Sequence, residues 1–268
     1  MLHWGYDEHN GPAHWKEVFP VANGDRQSPI DIKTEETKYD PSLRPLNPNY
    51  DPASAKIILN NGHSTSVEFD DTVNKSVKPS PVFWFVVLTG GPLCGTYRLR
   101  QIHFHWGSND EAGSEHAVDG MKYAAEVRLG TESFILLNLV VFDDTFDRSG
   151  QLLFCLWGVI RNEGLQKLLQ RFVFPFFKGK EAPFQHFDPS ILFPKSRDYW
   201  TYHGSFTTPP CEECITWILL REPIEVSPDQ MARLRSLSKN GENEPMCPLV
   251  DNWRPLQPVK GRIVRASF

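Results

Sequence analysis

Ile102-His103-Phe104-His105-Trp106 lies near the middle of a chain of 268 residues, and its reading decides the rest. Residues two apart on a β-strand project from the same face, so the imidazoles of His103 and His105 converge. A paired histidine face is half of a zinc site. A catalytic zinc uses three protein ligands and keeps one position open for water. The identity of the third ligand therefore decides the chemistry.

Short segments rich in β-branched and aromatic residues recur between turn signals on both sides of this stretch. They cover 56–59 before Asn60-Asn61-Gly62, 65–69 before Asp70-Asp71, then 97–106, 123–129 and 215–220. The pattern predicts a mainly β fold with a few short helices, and with no repeat or linker dividing it the chain reads as a single domain over 1–268. The clearest helix signal is Ser227-Pro228-Asp229-Gln230, with Ser as N-cap, Pro at the first helical position and Gln three residues after the cap. A second candidate covers 165–172, where Leu165, Leu168, Leu169 and Phe172 fall at helical spacing.

The net charge of −5 and the lack of any basic run exclude a nucleic-acid surface, and small or neutral partners are expected. The apolar runs 82–88, 134–142 and 152–160 are each much shorter than the roughly 20 residues that cross a bilayer, so no membrane span is expected. Five cysteines form an odd set without framework spacing, and the chain opens without a charged-then-apolar leader, which points to a reduced, cytoplasmic protein. Cys211-Glu212-Glu213-Cys214 has no second pair to complete a metal site and reads as structural.

Beyond the paired histidines come Gly107-Ser108, Gly113-Ser114-Glu115-His116, Tyr123-Ala124-Ala125-Glu126 and the run Tyr202-His203-Gly204-Ser205-Phe206-Thr207-Thr208-Pro209-Pro210. Trp217 and Asn252-Trp253-Arg254-Pro255 follow, and Trp4-Gly5-Tyr6, Gln27-Ser28-Pro29-Ile30 and Asn60-Asn61-Gly62-His63 precede them. Together these resemble the α-class carbonic anhydrases, most closely the cytosolic animal enzymes, over about 4–77, 90–127 and 162–268. The resemblance implies a single domain on a large, twisted, mostly antiparallel sheet, with a zinc ion at the bottom of a conical cleft, in a monomer. It implies a lyase that interconverts carbon dioxide and bicarbonate, with hydroxide on zinc as the nucleophile.

Carried over by position, the resemblance makes His103 and His105 two zinc ligands, and Gln101 and Glu126 the groups that hold ligand imidazoles in one tautomer. Thr207 resembles the hydroxyl that accepts from the nucleophile and donates to Glu115, with Thr208 beside it. His63 resembles a proton shuttle, suited by an imidazole pKa near 6.5. Tyr6 and Asn61 resemble members of an ordered-water path, Ser66 stands where the family has an Asn, and Phe206, Ile215 and Trp217 resemble the apolar wall. His116 reads as a hydrogen-bonded structural residue, and His3, His9, His14, His186 and His203 as surface or packing residues.

The pattern breaks at residue 128. The family's third zinc histidine stands two residues after the glutamate of the Ala-Ala-Glu strand, and this chain has Arg128 there. No histidine occurs between His116 and His186. An arginine places a permanent positive charge near the metal position and can pair with Glu126 on the same strand face. Two stretches, about 78–88 and 128–160, also depart from the family pattern and read as translated non-coding sequence or a mis-spliced gene model. Two further expectations therefore stand beside the enzyme: a zinc-poor relative acting as a binding module, and a damaged copy of an active enzyme.

Overall fold

The structure is a computed structural model and describes residues 3–49, 52–70, 87–133, 149–156, 166, 169–170 and 177–268. Fourteen strands are present among them. The first eight are β1 Asp31–Ile32, β2 Lys38–Tyr39, β3 Leu46–Asn49, β4 Ala55–Asn60, β5 Thr65–Phe69, β6 Val87–Gly90, β7 Tyr97–Trp106 and β8 Ala117–Val118. The others are β9 Ala125–Ser133, β10 Ser149–Leu156, β11 Glu181–Pro183, β12 Tyr199–Gly204, β13 Ile215–Leu220 and β14 Arg265–Ala266. Twelve of them form one sheet in the order β11-β4-β5-β7-β9-β10-β13-β12-β14-β2, with β3 and β6 joined to it beside β7; β1 and β8 form a separate pair. Pairing is antiparallel except at β10–β13 and β14–β2 in the large sheet, and at β1–β8. The expected mainly β architecture is the one observed.

The strand 102–106 lies in β7, whose apolar side chains Ile102, Phe104 and Trp106 are fully buried in the larger core with Ile58, Val67, Val127 and Leu129. Burying each such side chain stabilises the fold by roughly 1.5–3 kcal/mol. Strict alternation would place Tyr97 and Leu99 on the histidine face. A bulge between Leu99 and Gln101 shifts the register by one residue, so Tyr97 and Leu99 turn into the same core as Ile102. A second core, of Ile30, Trp200, Tyr202, Ile215 and Trp217 among others, packs separately.

β9 runs past the break in the family pattern: Arg128 to Ser133 continue the strand, paired along β7 as far as Tyr97 opposite Ser133. β10, inside the aberrant stretch, pairs in continuous register with β9 on one side and β13 on the other. That part of 128–160 is therefore an integral central strand. Residues 78–86 and 134–148, including the apolar runs assigned to them, lie outside the described residues, as does most of the helix expected over 165–172.

Helix α1 spans Trp15–Val18 and α2 Pro228–Arg235. The start of α2 is the one expected. Ser227 Oγ accepts from Gln230 N at 3.3 Å and Gln230 Oε1 accepts from Ser227 N at 3.0 Å, closing a capping box. Ser227→Ala is expected to lower unfolding free energy by about 1 kcal/mol in urea titration; an unchanged midpoint counts against the cap.

Candidate active-site cleft

Antiparallel pairing of β7 with β9 sets His103 opposite Arg128 and His105 opposite Glu126, and β5 sets Ser66 opposite His103. Directly opposed residues share a face, so these side chains assemble from three strands far apart in sequence. The loop after β12 brings Phe206, Thr207 and Thr208 over them. A cavity of about 270 Å³ opens above, lined by Tyr6, Asn61, His63, Ser66, Gln101, His103, His105, Arg128, Phe206, Thr207 and Thr208, among others.

Arg128 forms the floor. The residue is only 1% exposed, and its guanidinium donates from Nε to Glu126 Oε1 at 2.7 Å and from Nη1 to Thr207 Oγ1 at 2.5 Å. Nη2 donates to Glu126 Oε1 at 2.5 Å and also to Glu115 Oε2. The guanidinium carbon stands 4.7 Å from the centre of the Trp217 ring. The expected pairing with Glu126 is present, and the contacts to Glu115, Thr207 and Trp217 join it.

Both carboxylates are fully buried and saturated. Glu115 Oε1 accepts from Arg254 N at 2.6 Å, and Glu126 Oε2 accepts from Glu115 N at 2.9 Å and His116 N at 2.8 Å. Burial alone raises the Glu126 carboxyl, but Arg128 and then His116 hold it well below the usual carboxylate range. At Glu115 burial prevails and the pKa is raised, against the pull of Arg128 and a hydrogen bond from Thr207. Thr207 thus accepts from Arg128 and donates to Glu115. His116 meets Glu126 Oε1 at 3.4 Å and Tyr202 Oη at 2.6 Å, a structural role.

His105 Nδ1 lies 2.6 Å from the carbonyl oxygen of Asn252. A carbonyl only accepts, so Nδ1 carries the proton and Nε2 is left as a bare lone pair. His105 Nε2 and His103 Nδ1 are both buried without a hydrogen-bond partner. Burial, then the neighbouring Arg128 charge, pushes the His105 pKa down to about 3; burial, His105 and Arg128 hold His103 well below its ordinary value. Both rings are neutral at pH 7.

Several sequence assignments change in this setting. Gln101 lines the cleft but does not hold His103 Nδ1, which has no partner. Glu126 holds Arg128 and His116 instead of a ligand imidazole, because the guanidinium brings more donors within its reach. Ile215 and Trp217 are 1% and 0% exposed in the second core and do not line the cavity. The Arg128 guanidinium lies over the Trp217 ring, leaving Phe206 as the apolar surface of the three. Asn61 Oδ1 accepts from His63 N at 2.9 Å and Ser64 N at 2.8 Å, shaping the turn that carries His63. Sequence reasoning gave no role to the Asn252 carbonyl, the Arg254 amide or Lys122. Only the Asn-Trp-Arg-Pro motif marked the first two.

His63 stacks on Trp4, ring centres 4.1 Å apart, and on His3 at 5.2 Å. Burial, then the charges of His3 and Lys178, lowers its pKa to about 4, below the 6.5 expected for a shuttle. His63 therefore stays neutral as pH falls from 6.5 toward 4, a window in which the unfolded chain takes up the proton, so this group costs stability on acidification. NMR titration is expected to show a His63 midpoint near 4 that rises toward 6.5 in Trp4→Ala. A midpoint near 6.5 in the unaltered chain overturns this.

The donor set does not fit zinc. Two imidazoles are available, but the third position holds a guanidinium, which has no lone pair to offer and carries a permanent charge. Among the described residues, no group of three or more His, Cys, Asp or Glu side chains is placed to hold a metal ion.

A family model described as eukaryotic-type carbonic anhydrase matches residues 10–268. Carbonic anhydrase 3 of Mus musculus is 55% identical over 275 aligned residues, covering 99% of this chain and 98% of that protein. The proteins of that name from Sus scrofa and Homo sapiens are 54% and 52% identical with the same coverage.

Proposed function

Because the chain belongs to the eukaryotic-type carbonic anhydrase family, we propose that its cleft is built for carbon dioxide and bicarbonate, the substrate pair of the family's lyase reaction, with residue 128 the point where the zinc ligand set is interrupted. The observation that carries this reading is that Thr207 and Glu115 meet at Arg128 under a cavity shared with His63, His103 and His105. Thr207, held by Glu115, presents an oriented hydroxyl oxygen that accepts a hydrogen bond from whatever lies above it. In this chain the donor is Arg128 Nη1. Phe206 offers an apolar surface to a linear, uncharged substrate, and Thr208, Ser66 and Tyr6 supply polar groups along the cavity. His63 stands at the cavity wall, where an imidazole can pass protons to solvent, although its low pKa makes it a weak acceptor at pH 7.

Zinc supplies the family's nucleophile by acidifying a bound water. The residues present do not grip that ion, so no step of the reaction runs through it in this chain. We read the protein as monomeric and cytoplasmic, a reading supported by free thiols at Cys94, Cys211, Cys214 and Cys247. Among the described residues no helix is long and apolar enough to cross a membrane.

Arg128 favours a second reading, a folded zinc-poor relative that acts as a binding module. Carbon dioxide hydration by the unaltered chain and by Arg128→His separates the two. A folded Arg128→His variant that gains the reaction supports the enzyme cleft, and one that takes up zinc yet remains inert supports the module. Independent transcript reads across 78–160 decide whether the two departing stretches belong to the protein. The in-register pairing of β10 favours a genuine strand there.

A further inference from the structure

We infer that the guanidinium of Arg128 takes the metal's place as a permanent internal counter-ion to Glu115 and Glu126, so that the cleft floor is complete without zinc. This deepens the functional reading above and rests on it for identifying 128 as the third ligand position.

The argument is one of charge and hydrogen-bond balance. Glu115 and Glu126 are both 0% exposed, and a buried carboxylate without a cation or donors is too costly to keep charged. Arg128 gives hydrogen bonds from all three guanidinium nitrogens, two to Glu126 Oε1, one to Glu115 and one to Thr207. Its face is covered by Trp217, a cation–π contact that adds to its hold.

Lys122 Nζ is buried 3.6 Å above the centre of the Trp253 ring, and burial lowers its pKa against the pull of Glu115 and Glu126. Arg128 bonds both carboxylates directly, whereas Lys122 Nζ has no hydrogen-bond partner. A divalent ion placed here meets carboxylates already bonded to Arg128, whose charge repels it at short range. The lone pair of His105 Nε2 and the neighbouring His103 ring, whose Nδ1 has no partner, are what remains of the ligand set.

The test compares zinc content and thermal midpoint of the full chain after chelator treatment and after zinc is returned. The unaltered chain is expected to hold substoichiometric zinc and to melt within about 1 °C in both conditions, because a ligand that does not bind the folded state cannot stabilise it. Arg128→Met is expected to melt about 10 °C lower in both conditions, and Arg128→Lys, which keeps charge but not the fork, in between. Arg128→His is expected to melt low in chelator and to gain about 5–10 °C with zinc at 100 times its dissociation constant.

Stoichiometric zinc in the unaltered chain, a comparable zinc-dependent rise, or an Arg128→Met variant that keeps the parent midpoint overturns the inference. The zinc measurement on the unaltered chain holds whether or not the variants fold. Zinc in the unaltered chain sinks the counter-ion and leaves the functional reading standing. Zinc-loaded Arg128→His that hydrates no carbon dioxide does the reverse.

Discussion

Arg128→His is expected to raise carbon dioxide hydration by on the order of 100-fold or more over the unaltered chain. Disturbing a group that merely supports a metal ligand commonly changes affinity or activity by about 10–100-fold, and here a ligand itself is supplied. Residue 128 lies directly opposite His103 on the neighbouring strand, where facing side chains come within about 5 Å. A third imidazole would therefore join the two already present. The same change removes the guanidinium that occupies Thr207 Oγ1 and releases Glu115 and Glu126 from it. A 100-fold gain corresponds to about 2.7 kcal/mol of barrier, modest beside the total that enzymes supply. Stopped-flow hydration assays with zinc present read the result. A folded variant that binds zinc but shows no gain would mean that the rest of the cleft is not catalytic.

Removing Glu126 is expected to cost more stability than any surface change. Its Oε2 accepts from the backbone amides of Glu115 and His116, and its Oε1 from Arg128 Nε and Nη2. Glu126→Ala leaves a buried cation short of a partner, a loss of about 3–5 kcal/mol. It also leaves two buried amide donors unsatisfied, each costing about 1–3 kcal/mol. Against a total stability of about 5–15 kcal/mol this amounts to a fall in melting temperature of about 10–20 °C or loss of the folded chain. Glu126→Gln keeps one acceptor oxygen and should fall between. A Glu126→Ala midpoint within about 3 °C of the parent removes Glu126 from the structural core of the site.

Much of the site was legible before the fold was known, because the periodicity of a strand is local. His103 and His105 share a face from their spacing alone, and the start of α2 follows from Ser227-Pro228-Asp229-Gln230. The bulge at Leu99–Gln101 was not legible: the one-residue shift that sends Tyr97 and Leu99 to the core leaves no composition signal. Nor was the fate of Trp217, which resembles a cleft-wall residue but lies beneath Arg128. His105 depends on a carbonyl at Asn252, a partner 147 residues away that no spacing rule reaches.

What the amino-acid sequence alone determined is that residue 128 cannot ligate zinc, since a guanidinium lacks a free electron pair in any fold. It also determined the strand that displays the two imidazoles, because side-chain direction alternates along the chain itself. Only the tertiary structure decided where the arginine's charge goes. Glu115, Glu126 and Thr207 stand 13, 2 and 79 positions from it in sequence, and electrostatic pairing depends on distance through space and on the exclusion of water, neither of which is written in chain order.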